Sequence, residues 1–192
     1  MLVITGTLFF FHHRGHGGHG VLLIKQKKLY VLCALCGEFP YLCSVMEKFE
    51  LHILGCGSAL PTTRHFATSQ VVNVRDKLYM IDCGEGSQLQ FRKSRLKFSR
   101  LNHIFISHLH GDHCFGLLGL ISTLNLLGRT AELHIHSPKG LEALFVPMLS
   151  FFCRQMTYQV LFHEFETKEP GMIYEDRSLT VTTIPLRHRM PC

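Results

Sequence analysis

Within six residues, His108-Leu109-His110-Gly111-Asp112-His113 sets out four potential metal ligands directly behind the apolar run His103-Ile104-Phe105-Ile106-Ser107. A buried strand that ends in such a cluster narrows the choice of fold, because it must deliver its ligands to one end of a sheet. In extended chain, His108 and His110 point to the same side. Gly111 lets the backbone turn sharply. Asp112 and His113 then sit near the start of a helix and can face the same cavity from a second direction. Helical H-E-x-x-H spacing presents its two histidines differently. Imidazole nitrogen and carboxylate oxygen suit zinc, and a catalytic zinc keeps one position open for water. Such water can ionise near neutral pH, and two metals can hold both the attacking and the leaving oxygen. A histidine-rich surface loop is the bland alternative, and the order of the ligands behind a buried strand speaks against it.

The surrounding pattern alternates strands with helices. Phe49 to Leu54 alternates and then meets Gly55 and Gly57, as a strand entering a turn does. Val71 to Val74 and Lys77 to Ile81 read as paired strands around Arg75-Asp76. Asp82-Cys83-Gly84-Glu85-Gly86 breaks the pattern, and Ser87 to Lys93 can be helical. Gly116 to Leu127 has the length and apolar weight of a core helix. Leu133 to His136 reads as a strand and Leu141 to Phe152 as a helix. Further strands are expected at about 159–165, 172–174 and 179–184. This order points to a layered α/β domain.

Residues 1–45 differ from the rest. The stretch from Phe9 to Gly20, rich in histidine and glycine, has neither helical nor strand period. It can chelate metal loosely, or be a leader that packs no core. Met46 makes a natural start, just ahead of the ordered pattern, and the final residues Arg187 to Cys192 carry no terminating element, as if the chain were cut. No apolar run approaches a membrane span; Leu8 to Phe11 stops at His12, with no basic residue before it to suggest a secretory signal. A cytoplasmic protein is the default expectation. Eight cysteines in such a chain read as thiols or ligands rather than a disulfide framework. Cys33 and Cys36 form a C-x-x-C with Cys43 beyond, but a zinc knuckle needs a fourth ligand and none is obvious. The net charge of +6 permits a polyanionic partner without demanding one, and half the excess lies in the first 45 residues.

From about Met46 to the end, the chain resembles the metallo-β-lactamase superfamily through its H-x-H-x-D-H segment. It is most similar to the ribonuclease Z family. Leu54-Gly55-Cys56-Gly57-Ser58-Ala59-Leu60-Pro61 resembles that family's opening strand and glycine turn, and Ile81 to Gly86 its first motif. The stretch from His108 to Leu120 and the loop Ser137-Pro138-Lys139-Gly140 add to the likeness. The resemblance implies the amino-terminal half of an αββα sandwich and two Zn2+ ions in a complete active site. His108, His110 and His188 would bind one zinc, and Asp112 and His113 the second. Asp112 would also accept a proton in hydrolysis. Asp82 would support the ligand loop, with an aspartate that forms a turn before Gly84 as the lesser alternative. His188 on its own would pass for an ordinary loop histidine.

The implied activity is hydrolytic removal of the 3′ trailer from precursor tRNA, by an enzyme that dimerises when complete. The family's second half supplies an aspartate bridging both metals, a last histidine ligand and a histidine implicated in catalysis, so this chain is expected to be incomplete and inactive alone. In the loop said to meet the RNA 3′ end, Thr62-Thr63-Arg64-His65-Phe66 keeps only Arg64 of the usual charges. Arg92, Lys93 and Arg95 open the strongest basic run. They can contact phosphates or complement a helix end. The same ligands would serve a cyclic phosphodiesterase or an arylsulfatase, and a third alternative is a non-catalytic remnant or pseudo-subunit.

Overall fold

The computed structural model describes residues 49–57, 60, 62–166 and 168–185 in full, and the backbone of the short strands at 7–10, 21–26, 31–32 and 42–43. Strands β1 (Thr7–Phe10), β2 (Val21–Gln26), β3 (Val31–Leu32) and β4 (Leu42–Cys43) thus fall within the segment expected to be a leader. The tract from His12 to Gly20, the Cys33 and Cys36 pair and His188 lie outside the described residues. The remaining elements are β5 (Phe49–Gly55), β6 (Ser69–Val74), β7 (Lys77–Ile81), α1 (Ser87–Lys93), β8 (Leu101–Phe105), α2 (Gly111–Cys114), α3 (Leu117–Leu126), β9 (Leu133–Pro138), α4 (Leu141–Phe152), β10 (Val160–Phe165), β11 (Gly171–Glu175) and β12 (Leu179–Ile184).

Strands β5 to β10 form a six-stranded sheet in sequence order. The β5–β6 and β6–β7 pairs are antiparallel, and β7 through β10 run parallel. The change follows the connections. Arg75 and Asp76 both take positive φ and close a two-residue hairpin, whereas β7, β8, β9 and β10 are joined by segments containing helices, as parallel neighbours require. A second, antiparallel sheet has the order β1-β2-β12-β11.

The main sheet is apolar on both faces. On one, Val71, Met80, Ile104 and Ile135 pack with Phe91, Leu117, Leu120, Ile121, Leu141 and Phe145 from the helices. On the other, Val72, Val74, Tyr79, Ile81 and Phe105 meet Leu179 and Val181 of the second sheet. Alternate residues of a strand face opposite sides, so a strand buried on both reads as an unbroken apolar run, as β7 does. The result is a helix–sheet–sheet layering, the metallo-β-lactamase arrangement expected for the amino-terminal half. Among the described residues, no helix is long and apolar enough to cross a membrane. The parallel strands place the turns after β7 and β8 together at one end of the sheet, where the ligand cluster lies.

Candidate metal centre

Backbone contacts fix the two turns against each other. Asp82 N donates to Phe105 O at 2.8 Å, Cys83 N to His113 O at 2.7 Å, and Gly116 N to Cys83 O at 2.8 Å. This approach is open only to glycine. A Cβ on Gly116 would lie 2.1 Å from Gly84 O, and one on Gly84 would lie 2.4 Å from Asp112 O. The glycines of the two motifs are therefore needed where one backbone crosses the other.

Asp82 takes a left-handed conformation, with φ of 55°, and turns its buried carboxylate towards the cluster. Its Oδ1 accepts from Ser107 N at 2.8 Å and its Oδ2 from Ser107 Oγ at 3.0 Å. His113 Nδ1 lies 2.7 Å from the same Oδ2. Burial works against the charge on Asp82, but the His113 ring and the Ser107 donors outweigh it and hold the carboxyl below the usual carboxylate range. Burial pulls His113 down, and Asp82, with a smaller contribution from Asp112, raises it above the ordinary value.

These bonds assign the ring protons. Ser107 Oγ gives its hydrogen to Asp82, so towards His108 Nδ1, 3.1 Å away, it can only accept. His113 Nδ1 donates to Asp82 in turn. In their neutral form both rings then present an unprotonated Nε2, the form that a metal takes. His108 Nε2 lies 3.1 Å from His110 Nδ1, and His113 Nε2 lies 3.5 Å from Asp112 Oδ2. Two donors sharing a tetrahedral zinc at ordinary bond lengths sit about 3.3 Å apart. Each pair therefore spans one edge of such a polyhedron, and the donor set fits zinc. Among the described residues no group of three or more histidine, cysteine or acidic side chains is gathered tightly enough to hold a metal by itself.

The sequence-predicted residues divide accordingly. His108, His110, Asp112 and His113 come together, with Asp82 behind them. Arg64, Arg92, Lys93 and Arg95 are exposed, with Arg92 and Lys93 in the last turn of α1. His188 lies outside the described residues. Ser107 was missed. Its signal is weak, a serine at the end of a strand, and its importance emerges only once Asp82 is brought beside it.

A family model described as Anti-Pycsar protein Apyc1 matches residues 49–189. Ribonuclease Z of Bacteroides thetaiotaomicron is 83% identical over 147 residues, covering 77% of this chain and 46% of the relative. Ribonuclease Z of Porphyromonas gingivalis is 60% identical over 146 residues, covering 76% and 48%. The chain thus spans about half the length of these relatives. Among solved structures, the short form of human tRNase Z superposes with a TM-score of 0.67 at 30% identity, over 73% of this chain and 61% of that one. The chain belongs to the family that the Apyc1 model describes and, by its relatives, to the ribonuclease Z members of the metallo-β-lactamase superfamily.

Proposed function

We propose that the chain supplies one side of the metal centre of a zinc-dependent endoribonuclease that removes the 3′ trailer of precursor tRNA. The observation that carries this reading is the pairing of His108 Nε2 with His110 Nδ1, and of Asp112 Oδ2 with His113 Nε2, behind the Asp82 carboxylate. His108 and His110 would hold one zinc, with His188 as third ligand, and Asp112 and His113 would hold the second. Bound zinc would supply Lewis acidity and a nucleophilic hydroxide at neutral pH.

The chain's own residues orient and move protons. Asp82 and Ser107 would hold the His108 and His113 rings with Nδ1 turned towards them and Nε2 towards the metal sites. Asp112, whose Oδ2 faces His113, accepts a proton as the phosphodiester is attacked. Arg92, Lys93 and Arg95 would attract the RNA backbone, and Arg64 would approach its 3′ end. The complete enzyme would work in the cytoplasm as a homodimer. Five ligands leave two zinc sites short of closed coordination. Residues 1–192 alone are therefore expected to hold zinc weakly and to leave RNA intact.

A second reading, a hydrolase of small phosphodiesters or sulfate esters, is favoured by the matching family model, which bears the name of an anti-Pycsar protein rather than of a ribonuclease. The complete enzyme isolated from its source separates the two. Incubated with zinc, it should cut trailer-bearing precursor tRNA at the 3′ junction and lose that activity on Asp112→Ala. Intact precursor beside rapid turnover of bis(p-nitrophenyl) phosphate would transfer the assignment to the second reading.

A further inference from the structure

Beside Asp112 opens a cavity of about 450 Å³ lined by Phe66, Leu89 and Phe115 together with His65 and Glu85. That volume lies within the range of small-ligand sites. Its apolar wall is unusually open to solvent: Phe115 is 72% exposed, Leu89 62% and Phe66 41%. Just beyond Phe115, Leu117, Leu120 and Ile121 of α3 are fully buried. Phe115 is thus left outside the core that its neighbours build.

The rings are seated on backbone. A Cβ at Gly111 would come within 2.2 Å of the Phe115 ring, and one at Gly86 within 3.1 Å of the Phe66 ring. Thr62 Oγ1 accepts from His65 N at 2.9 Å and closes the loop that carries Phe66. Two exposed phenyl rings therefore lie against glycine on the two loops that frame the ligand cluster. The charges select the guest. Glu85, in the cavity lining, disfavours a phosphate there but tolerates a neutral planar ring. Helix α1 carries Leu89 at the cavity and Arg92 and Lys93 three and four positions on, along the same face. A base in the cavity would leave its phosphates near those cations.

We propose that this cavity is a nucleobase subsite, in which an unpaired base of single-stranded RNA stacks on Phe115, with Phe66 and Leu89 completing the apolar wall. Glu85 accepts a hydrogen bond from the exocyclic amine of cytosine or adenine, which uracil lacks. The inference rests on the endoribonuclease reading and adds to it a residue-level preference for the base.

The test uses the 192-residue chain and six-nucleotide RNAs bearing one 2-aminopurine, whose emission falls on stacking. Binding should quench the probe. Phe115→Ala should weaken binding by about 5- to 150-fold, the cost of one lost base–aromatic stack, and restore emission, whereas Phe115→Tyr should keep both. Glu85→Gln should narrow the preference for hexacytidylate over hexauridylate. Far-UV circular dichroism checks that the variants stay folded. Salt-dependent binding with unchanged affinity and quench in Phe115→Ala overturns the subsite and leaves the endoribonuclease reading standing. No binding of any oligonucleotide, even at low salt, overturns the subsite together with the RNA-attracting role given to Arg92, Lys93 and Arg95.

Discussion

The Asp82 carboxylate stands 2.7 Å from Nδ1 of His113 and binds the turn after β7 to the short helix α2. Through Ser107 Oγ it also orients His108, so one buried acid sets the proton positions of two candidate ligands. Replacing it with asparagine keeps the shape and tolerates the left-handed backbone, but an amide presents one acceptor oxygen where the carboxylate uses two. Asp82→Asn and Ser107→Ala should each weaken zinc affinity by about 10- to 100-fold, as loss of such a supporting partner does. Competition with a chromophoric chelator measures this, and undiminished affinity in both variants would remove the orienting role.

The crossing of Gly84 and Gly116 yields a stability prediction. Gly116 has an ordinary helical φ of −75°, so alanine would suit its backbone. Its Cβ would nonetheless lie 2.1 Å from Gly84 O and 2.8 Å from Cys83 O. Gly116→Ala should cost about 1–3 kcal/mol in urea unfolding. At Gly171 an added Cβ meets nothing closer than 4.0 Å, so Gly171→Ala should stay within about 0.5 kcal/mol of the parent. Equal effects at the two positions would contradict the steric account.

Away from the candidate centre, His103, His134, His136 and His163 stack on one face of the main sheet, with ring centroids 4.7 to 5.5 Å apart between neighbours. Burial, then the neighbouring rings, lowers His103 to about 4 and His136 to about 3. Asp176 acts in the opposite sense on His103. In the unfolded chain both titrate near the ordinary 6.5. Between pH 6.5 and 4 the unfolded state therefore binds more protons, and stability falls as pH falls. The contribution is complete above 6.5. His136→Phe, which keeps a ring and removes the titration, should flatten the acid limb of a Tm-against-pH curve. A limb of unchanged slope would exclude the cluster as its source.

Arg92 and Lys93 close helix α1 and Arg95 follows it, all exposed. Neutralising all three with glutamine in the complete enzyme should lower the slope of log affinity against log salt for RNA by about 2 to 3. An unchanged slope would leave them as groups that merely complement the helix end.

Much of this was legible from local pattern. A helix forms at Leu117–Leu126, within the stretch whose apolar weight placed one, and the double-sided burial of β7 is written in its unbroken apolar run. The strand expected over His103 to Ser107 lies at Leu101–Phe105 instead. Ile106 remains buried, and its N still reaches His136 O, but Ser107 N turns aside to the Asp82 carboxylate. Apolar pattern reports burial and cannot see a side chain capture the next backbone donor. The His108 to His113 cluster announced itself by ligand density. Ser107 and Phe115 did not, because the role of each depends on distant residues, Asp82 for Ser107 and Phe66 and Leu89 for Phe115.

The account's central claim is that His108, His110, Asp112 and His113 hold metal ions. Cobalt(II) titration of the protein, followed by its visible absorption, tests it most directly, because donor number and geometry shape the spectrum. The account predicts a signal that zinc displaces, that His108→Ala and His113→Ala each diminish, and that the remote His163→Ala leaves intact. A signal untouched by His108→Ala and His113→Ala, or lost with His163→Ala, would contradict it.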